Sequence, residues 1–152
     1  MNIEEAVNLL HCYLFKPFLS RIYETKPLYY KKQLPFLNAV LRGYTSLSPA
    51  KLLIYIHVIE QKMGRRRRKA IKYGPRIIDI DILIYQEKII TTKKLIIPHP
   101  KIHERKFVLL PLLELNPYLK DPQSKQYFWK SLINLANQGV YFHSFSRYTK
   151  TS

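Results

Sequence analysis

The 152-residue chain contains a single cysteine, Cys12, which excludes an internal disulfide and any metal site built from several cysteines. Glycine is almost as scarce, with four in the whole chain, and no Gly-Lys-Ser or Gly-Lys-Thr loop occurs. Any nucleotide phosphates would therefore be held by side chains and metal rather than by a Walker-type backbone cradle. No apolar run approaches the length of a bilayer span. The acidic opening Met1-Asn2-Ile3-Glu4-Glu5 is unlike the basic start of a secretory signal, which predicts a cytoplasmic protein. Acids number 10 against 26 Lys and Arg, a net charge of +16 that suits a polyanion: nucleic acid, an anionic membrane or a nucleotide triphosphate. Apolar residues make up 47%, enough to bury a core within one domain over residues 1–152 and to exclude a disordered tail.

Ile3, Ala6, Val7, Leu10 and Leu14 recur at three- and four-residue steps and predict an amphipathic helix. A short strand is expected over Ser20 to Tyr23, and Phe36 to Tyr44 is compatible with β-structure. The clearest helix start is Ser48-Pro49, a capping residue followed by proline at the first helical position. Leu52, Leu53, Ile56, Ile59 and Met63 then line one face, and Gly64 is the expected stop. A hairpin is expected over Lys88 to Ile97, a short helix over Phe107 to Leu115, and a last helix around Phe128 to Leu135. Helices and strands are intermixed without the crossover rhythm of a doubly wound sheet, which predicts an α+β sandwich with an antiparallel sheet.

Arg76 to Tyr85 is the most informative segment. Read as a strand, it puts Ile78, Ile80, Ile82 and Ile84 on one face and Asp79 and Asp81 on the other. Two parallel carboxylates on an apolar strand repel each other and resist burial, so a cation should compensate. Magnesium fits, because it prefers oxygen and is often held by one or two carboxylates plus substrate phosphates. The alternative is a solvated face whose acids pair with nearby Arg or Lys.

Seven basic residues lie between Arg65 and Arg76, immediately before the acids. Guanidinium forks match phosphate oxygens, and Gly64 and Gly74 would let such a loop close over a substrate. Four consecutive arginines would equally serve a nucleic-acid patch or a targeting signal. The direct connection to the paired acids favours small-molecule phosphate chemistry. Upstream, Phe36 and Asn38 alternate onto one strand face. A stacking ring and an amide that both donates and accepts suit a fused nitrogen heterocycle, or else an ordinary core position and a backbone contact.

Together these segments resemble the family of 6-hydroxymethyl-7,8-dihydropterin pyrophosphokinase. The resemblance runs from about Ile3 to Asn116. It rests on Tyr23-Glu24-Thr25-Lys26-Pro27-Leu28, Phe36-Leu37-Asn38, Ile59-Glu60 with Gly64-Arg65, Gly74-Pro75-Arg76 with Asp79 and Asp81, Pro98-His99-Pro100, and Arg105-x-Phe107-Val108-Leu109-x-Pro111-Leu112. The resemblance implies a ferredoxin-like α+β sandwich, with helices packed on the faces of an antiparallel sheet. It also implies transfer of pyrophosphate from ATP to the pterin in folate synthesis, with neighbouring folate-pathway enzymes as possible partners. Asp79 and Asp81 would bind two magnesium ions bridging ATP and the acceptor hydroxyl. Thr25, Leu28 (through its backbone) and Asn38 would read the pterin edge, and Phe36 and Phe107 would sandwich its ring. Arg65, Arg67 and Arg76 would engage the phosphates. Lys72, Tyr73, Lys94, His99 and Arg105 would contact ATP, and the backbone of Ile82 would touch its base.

Two departures from the family pattern follow. Lys72 and Tyr73 stand where Arg and Trp are common. The family usually carries a strand and a Leu-Gly-Ser-Asn-Leu segment before the first helix, and this chain opens at that helix, with residues 117–152 as a C-terminal extension. The alternatives to an active enzyme are a non-catalytic degenerate relative or a basic nucleic-acid-binding protein.

Overall fold

The structure, a computed structural model, describes residues 2–26, 35–65 and 77–148, without the side chain of Arg65. Helix α1 (Asn2–Leu10) carries Glu4 and Glu5 in its first turn, where the positive end of the helix dipole favours acids. Its apolar stripe ends earlier than the expected Leu14, because the chain leaves the helix through turns at His11 to Tyr13. Helix α2 (Pro49–Arg65) begins as expected, with the Ser48 hydroxyl accepting the Lys51 N–H at 3.3 Å, and runs one residue past Gly64. Ala6 and Leu10 from α1 pack with Leu52, Ile56, Ile59 and Met63 from α2 into one core cluster.

Between these helices lies a long, bent hairpin. Strands β1 (Phe15–Leu19) and β2 (Ile22–Thr25) pair antiparallel with β4 (Leu41–Tyr44) and β3 (Phe36–Asn38), respectively. The bend is pinned by Ser20, which is fully buried: its N–H donates to the Val40 carbonyl and its hydroxyl accepts the Val40 N–H, both at 2.9 Å. Pro17, which cannot donate to a ladder, falls where the β1 register shifts and Lys16 takes φ 50°. Beyond α2, β5 (Ile90–Thr91) and β6 (Ile96–Ile97) form the expected small hairpin. A 3-10 turn at Ile102–Glu104 leads into α3 (Lys106–Leu115), and α4 (Phe128–Asn134) follows. The tail also adds β7 (Val140–Ser144) antiparallel to β2, a strand the sequence reading did not anticipate. Among the described residues every ladder is antiparallel and four α-helices pack with them, which is the α+β class expected.

A second core gathers Leu109, Leu112 and Leu113 of α3 with Val40, Ile102 and Phe128. The acidic segment passes between the two cores and departs from the expected strand, since none of residues 77–85 joins a ladder. Its backbone is met by single contacts instead. The Ile80 N–H donates to the Glu60 carboxylate of α2 at 3.1 Å, and the Leu83 carbonyl accepts the His99 N–H at 2.8 Å. The alternation survives up to Leu83: Ile78, Ile80 and Ile82 pack on the α1–α2 core while Asp79 and Asp81 are exposed on the other side. Ile84 breaks it. Expected beside the other isoleucines, it packs with Leu83 against the α3 core instead.

Candidate active site

The alternation of residues 78–83 turns Asp79, Asp81 and Leu83 toward one cleft of about 110 Å³. The far end of β3 contributes Asn38, followed by Ala39 and Val40. The turn after β6 contributes His99, and the start of α3 contributes Arg105, Phe107 and Val108. Six residues singled out from sequence therefore meet around one space: Asn38, Asp79, Asp81, His99, Arg105 and Phe107.

Each polar member has a distinct setting. Asn38 donates from its amide nitrogen to the Thr25 hydroxyl at 3.4 Å across the β2–β3 pair, which joins the two residues expected at the pterin edge. His99 accepts the Lys101 N–H at Nδ1, at 3.1 Å. A neutral ring must then carry its proton on Nε2, which lies 4.0 Å from an Asp81 carboxylate oxygen. Burial pushes the His99 pKa below the ordinary imidazole value; Asp81 pulls it up, and Arg105 and Lys101 push it down further. The side chain of Asp81 is 56% exposed against 21% for His99, so the acid faces the cleft mouth and the imidazole backs it. The Arg105 guanidinium sits 5.7 Å from the Phe107 ring centroid, a cation–π arrangement that restrains both at the cleft wall.

Among the described residues no group of three or more His, Cys, Asp or Glu is gathered, so a cage made of protein ligands alone does not form there. Two exposed carboxylates one turnless step apart on a cleft wall are a different donor set. They fit a hard divalent ion that would take its remaining ligands from water and substrate phosphates.

Other expected residues lie elsewhere. Phe36 is 61% exposed and does not line the cleft, although it shares the β3 strand with Asn38. Ile82 turns its side chain into the α1–α2 core, which is consistent with a ligand contact through its backbone alone. Lys94 is exposed in the turn between β5 and β6, away from the cleft lining. Leu28, Arg67, Lys72, Tyr73, Arg76 and the side chain of Arg65 lie outside the described residues. The apolar lining from Val40, Leu83 and Ile102 escaped the sequence reading, because such residues cannot be told from core by type. Ala39 carried a weak signal, a small residue beside Asn38 where a flat ligand could approach.

The family model for 7,8-dihydro-6-hydroxymethylpterin-pyrophosphokinase (HPPK) matches residues 1–117. A 2-amino-4-hydroxy-6-hydroxymethyldihydropteridine pyrophosphokinase of Aquifex aeolicus is 42% identical over 120 residues, which cover 79% of this chain and 74% of that protein. The folic acid synthesis protein fol1 of Schizosaccharomyces pombe is 44% identical over 145 residues, 94% of this chain but 20% of that protein. A folate synthesis bifunctional protein of Arabidopsis thaliana is 45% identical over 115 residues, 75% of this chain and 24% of that protein. The chain thus spans about a fifth to a quarter of the two longer relatives and about three-quarters of the bacterial one. With the model matching most of its length and the acids, Asn38, His99, Arg105 and Phe107 around one cleft, the chain belongs to the 7,8-dihydro-6-hydroxymethylpterin-pyrophosphokinase family.

Proposed function

We propose that this chain transfers the pyrophosphoryl group of ATP to the hydroxymethyl oxygen of 6-hydroxymethyl-7,8-dihydropterin, giving AMP and the pterin diphosphate. The observation that carries this reading is the convergence of Asn38, Asp79, Asp81, His99, Arg105 and Phe107 on a single cleft. The hydroxymethyl oxygen forms a bond to the β-phosphorus, and the bond from that phosphorus to the oxygen bridging the α-phosphorus breaks. AMP leaves with the electron pair, and the hydroxyl proton passes to solvent.

This chemistry asks the protein for positioning and charge compensation more than for covalent participation. Asn38, oriented by Thr25, hydrogen-bonds the pterin edge, and Phe107 stacks on its ring, with Phe36 joining from the exposed end of β3. Arg105 neutralises phosphate charge at the cleft wall, and Arg65, Arg67 and Arg76 supply further cations from the basic segment. The neutral His99 presents its Nε2–H toward Asp81 and the phosphate side of the cleft. Asp79 and Asp81 would hold magnesium, two ions in this reading, and the metal would supply Lewis-acid charge stabilisation to the phosphates. Lys72, Tyr73 and Lys94 contact ATP in this reading, and the backbones of Leu28 and Ile82 contact pterin and adenine. Such a chain works in the cytoplasm in this reading; the bifunctional folate synthesis relative of Arabidopsis thaliana supports a place beside or joined to other folate-pathway enzymes. Residues 117–152 complete the same folding unit in this reading, supported by the pairing of β7 with β2.

Incubating the purified chain with ATP, magnesium and 6-hydroxymethyl-7,8-dihydropterin tests the reading. Equimolar AMP and pterin diphosphate are expected. A fully folded chain that makes no AMP overturns it.

A further inference from the structure

Arg105 is the residue that opens α3, and its side chain makes no capping hydrogen bond. The position normally falls to Ser, Thr, Asp or Asn, whose side chain satisfies an orphan N–H of the first turn. Here that side chain is directed to the cleft instead, beside Phe107. The missing cap comes from far along the chain. Gln138, just before β7, accepts the Lys106 N–H on its amide oxygen at 2.8 Å. Its amide nitrogen donates to the Glu104 carbonyl at 3.0 Å. One tail side chain thereby clasps the backbone on both sides of Arg105.

A second tie holds the same turn through the preceding residue, His103. His103 places Nε2 2.6 Å from an Asp121 carboxylate oxygen and Nδ1 2.6 Å from the Ser131 hydroxyl. Its ring stacks on the fully buried Phe128 at 4.9 Å. Asp121 is itself buried and fixed, since its other oxygen accepts the Gln123 N–H at 2.8 Å. Hydrolases assemble the same three residue types into a nucleophilic triad. None of the three lines the cleft here, and both ring nitrogens are spent on anchors, so the arrangement is a tether.

We propose that Gln138 and the Asp121–His103–Ser131 tether are positioning residues, which set Arg105 and Phe107 in the cleft by fixing the Glu104–Lys106 turn. All three tail residues lie beyond the region matched by the family model, which ends at residue 117. The part of this proposal that concerns ATP and pterin rests on the pyrophosphokinase reading. The mechanical part, that the tail clamps the turn, does not.

Two measurements separate them. Hydrogen–deuterium exchange on the free protein reads the clamp: Gln138→Ala should speed exchange at the Lys106 amide about fivefold to tenfold, the equivalent of one lost hydrogen bond. Gln138→Glu keeps the acceptor and should restore most of the protection. Steady-state kinetics read the consequence: Gln138→Ala should raise the KM values for ATP and pterin by a similar factor. In an Arg105→Ala background, it should change the ATP KM less than twofold, because it acts through Arg105. Unchanged exchange at Lys106 overturns the clamp. Altered exchange with unchanged KM values, or effects that multiply fully with Arg105→Ala, overturns its role in positioning. A wild-type chain that makes no AMP defeats the pyrophosphokinase reading and with it the positioning role, leaving the exchange result to decide the clamp.

Discussion

His99 holds its Nε2 4.0 Å from the carboxylate of Asp81 while its Nδ1 is occupied by the Lys101 N–H. The ring therefore offers Asp81 a donor in a fixed direction, and burial keeps it neutral at pH 7. A neutral ring at that distance leaves the carboxylate's charge available for a cation. His99→Ala should raise the ATP KM about tenfold, while His99→Gln, which can still donate, should lose less. Initial rates at varied ATP check both.

The two acids are exposed on a segment whose opposite face is core, so function and stability separate at this point. Asp79→Asn and Asp81→Asn should each lower kcat at least about a hundredfold, as expected for lost metal-assisted charge stabilisation. At the exposed Asp81 a surface change of this kind leaves folding stability within about 0.5 kcal/mol. Paired turnover and urea-unfolding measurements read the two effects independently.

Glu60 on α2 accepts the Ile80 N–H, midway between the acids, at 3.1 Å. Hydrogen bonds to a charged acceptor contribute about 1.5–3 kcal/mol. Glu60→Ala should cost stability in that range and also depress kcat, since the backbone carrying both acids loosens. Glu60→Gln, which still accepts, should retain most of both. Chemical denaturation and turnover of the two variants decide it.

Much of this was legible in the sequence, for physical reasons that differ by element. Ser48-Pro49 marked the start of α2 because capping is a local interaction between neighbours. The exposure of Asp79 and Asp81 opposite Ile78, Ile80 and Ile82 followed from period-two alternation, which an extended backbone keeps even without a ladder. Ile84 escaped that logic because the Leu83 carbonyl turns aside to the His99 amide, a contact sixteen positions away. The tail beyond α4 was opaque for the same reason. Gln138 has its role through Glu104 and Lys106, and β7 through β2, and neither relation leaves a local pattern.

Tyr23 supplies a pH-dependent prediction. Burial, together with the hydrogen bond it donates to Glu114 at 3.0 Å, pushes its pKa up to about 12 from 10.0. The folded state thus holds the phenolic proton more tightly than the unfolded state. The resulting stabilisation is fully present below pH 10 and is lost as pH rises toward 12. Tyr23→Phe should flatten this alkaline loss, and thermal midpoints measured from pH 9 upward check it.

Asn38 and Thr25 are joined across the β2–β3 pair, and Asn38 alone of the two lines the cleft. Asn38→Ala should raise the pterin KM at least about a hundredfold, because a site built to hydrogen-bond its ligand discriminates strongly when that partner is lost. Thr25→Val, which leaves the amide but removes its acceptor, should give a smaller rise. The ATP KM should move little in either variant, and two-substrate kinetics make the comparison.

In the proposed reaction two phosphoryl units pass together to the pterin. Parallel reactions with ATP labelled at the α-, β- or γ-phosphorus, using the intact chain and magnesium, test it most directly. β and γ label are expected together in the pterin product, with α label wholly in AMP. Transfer of γ label alone, with ADP as the second product, would contradict it.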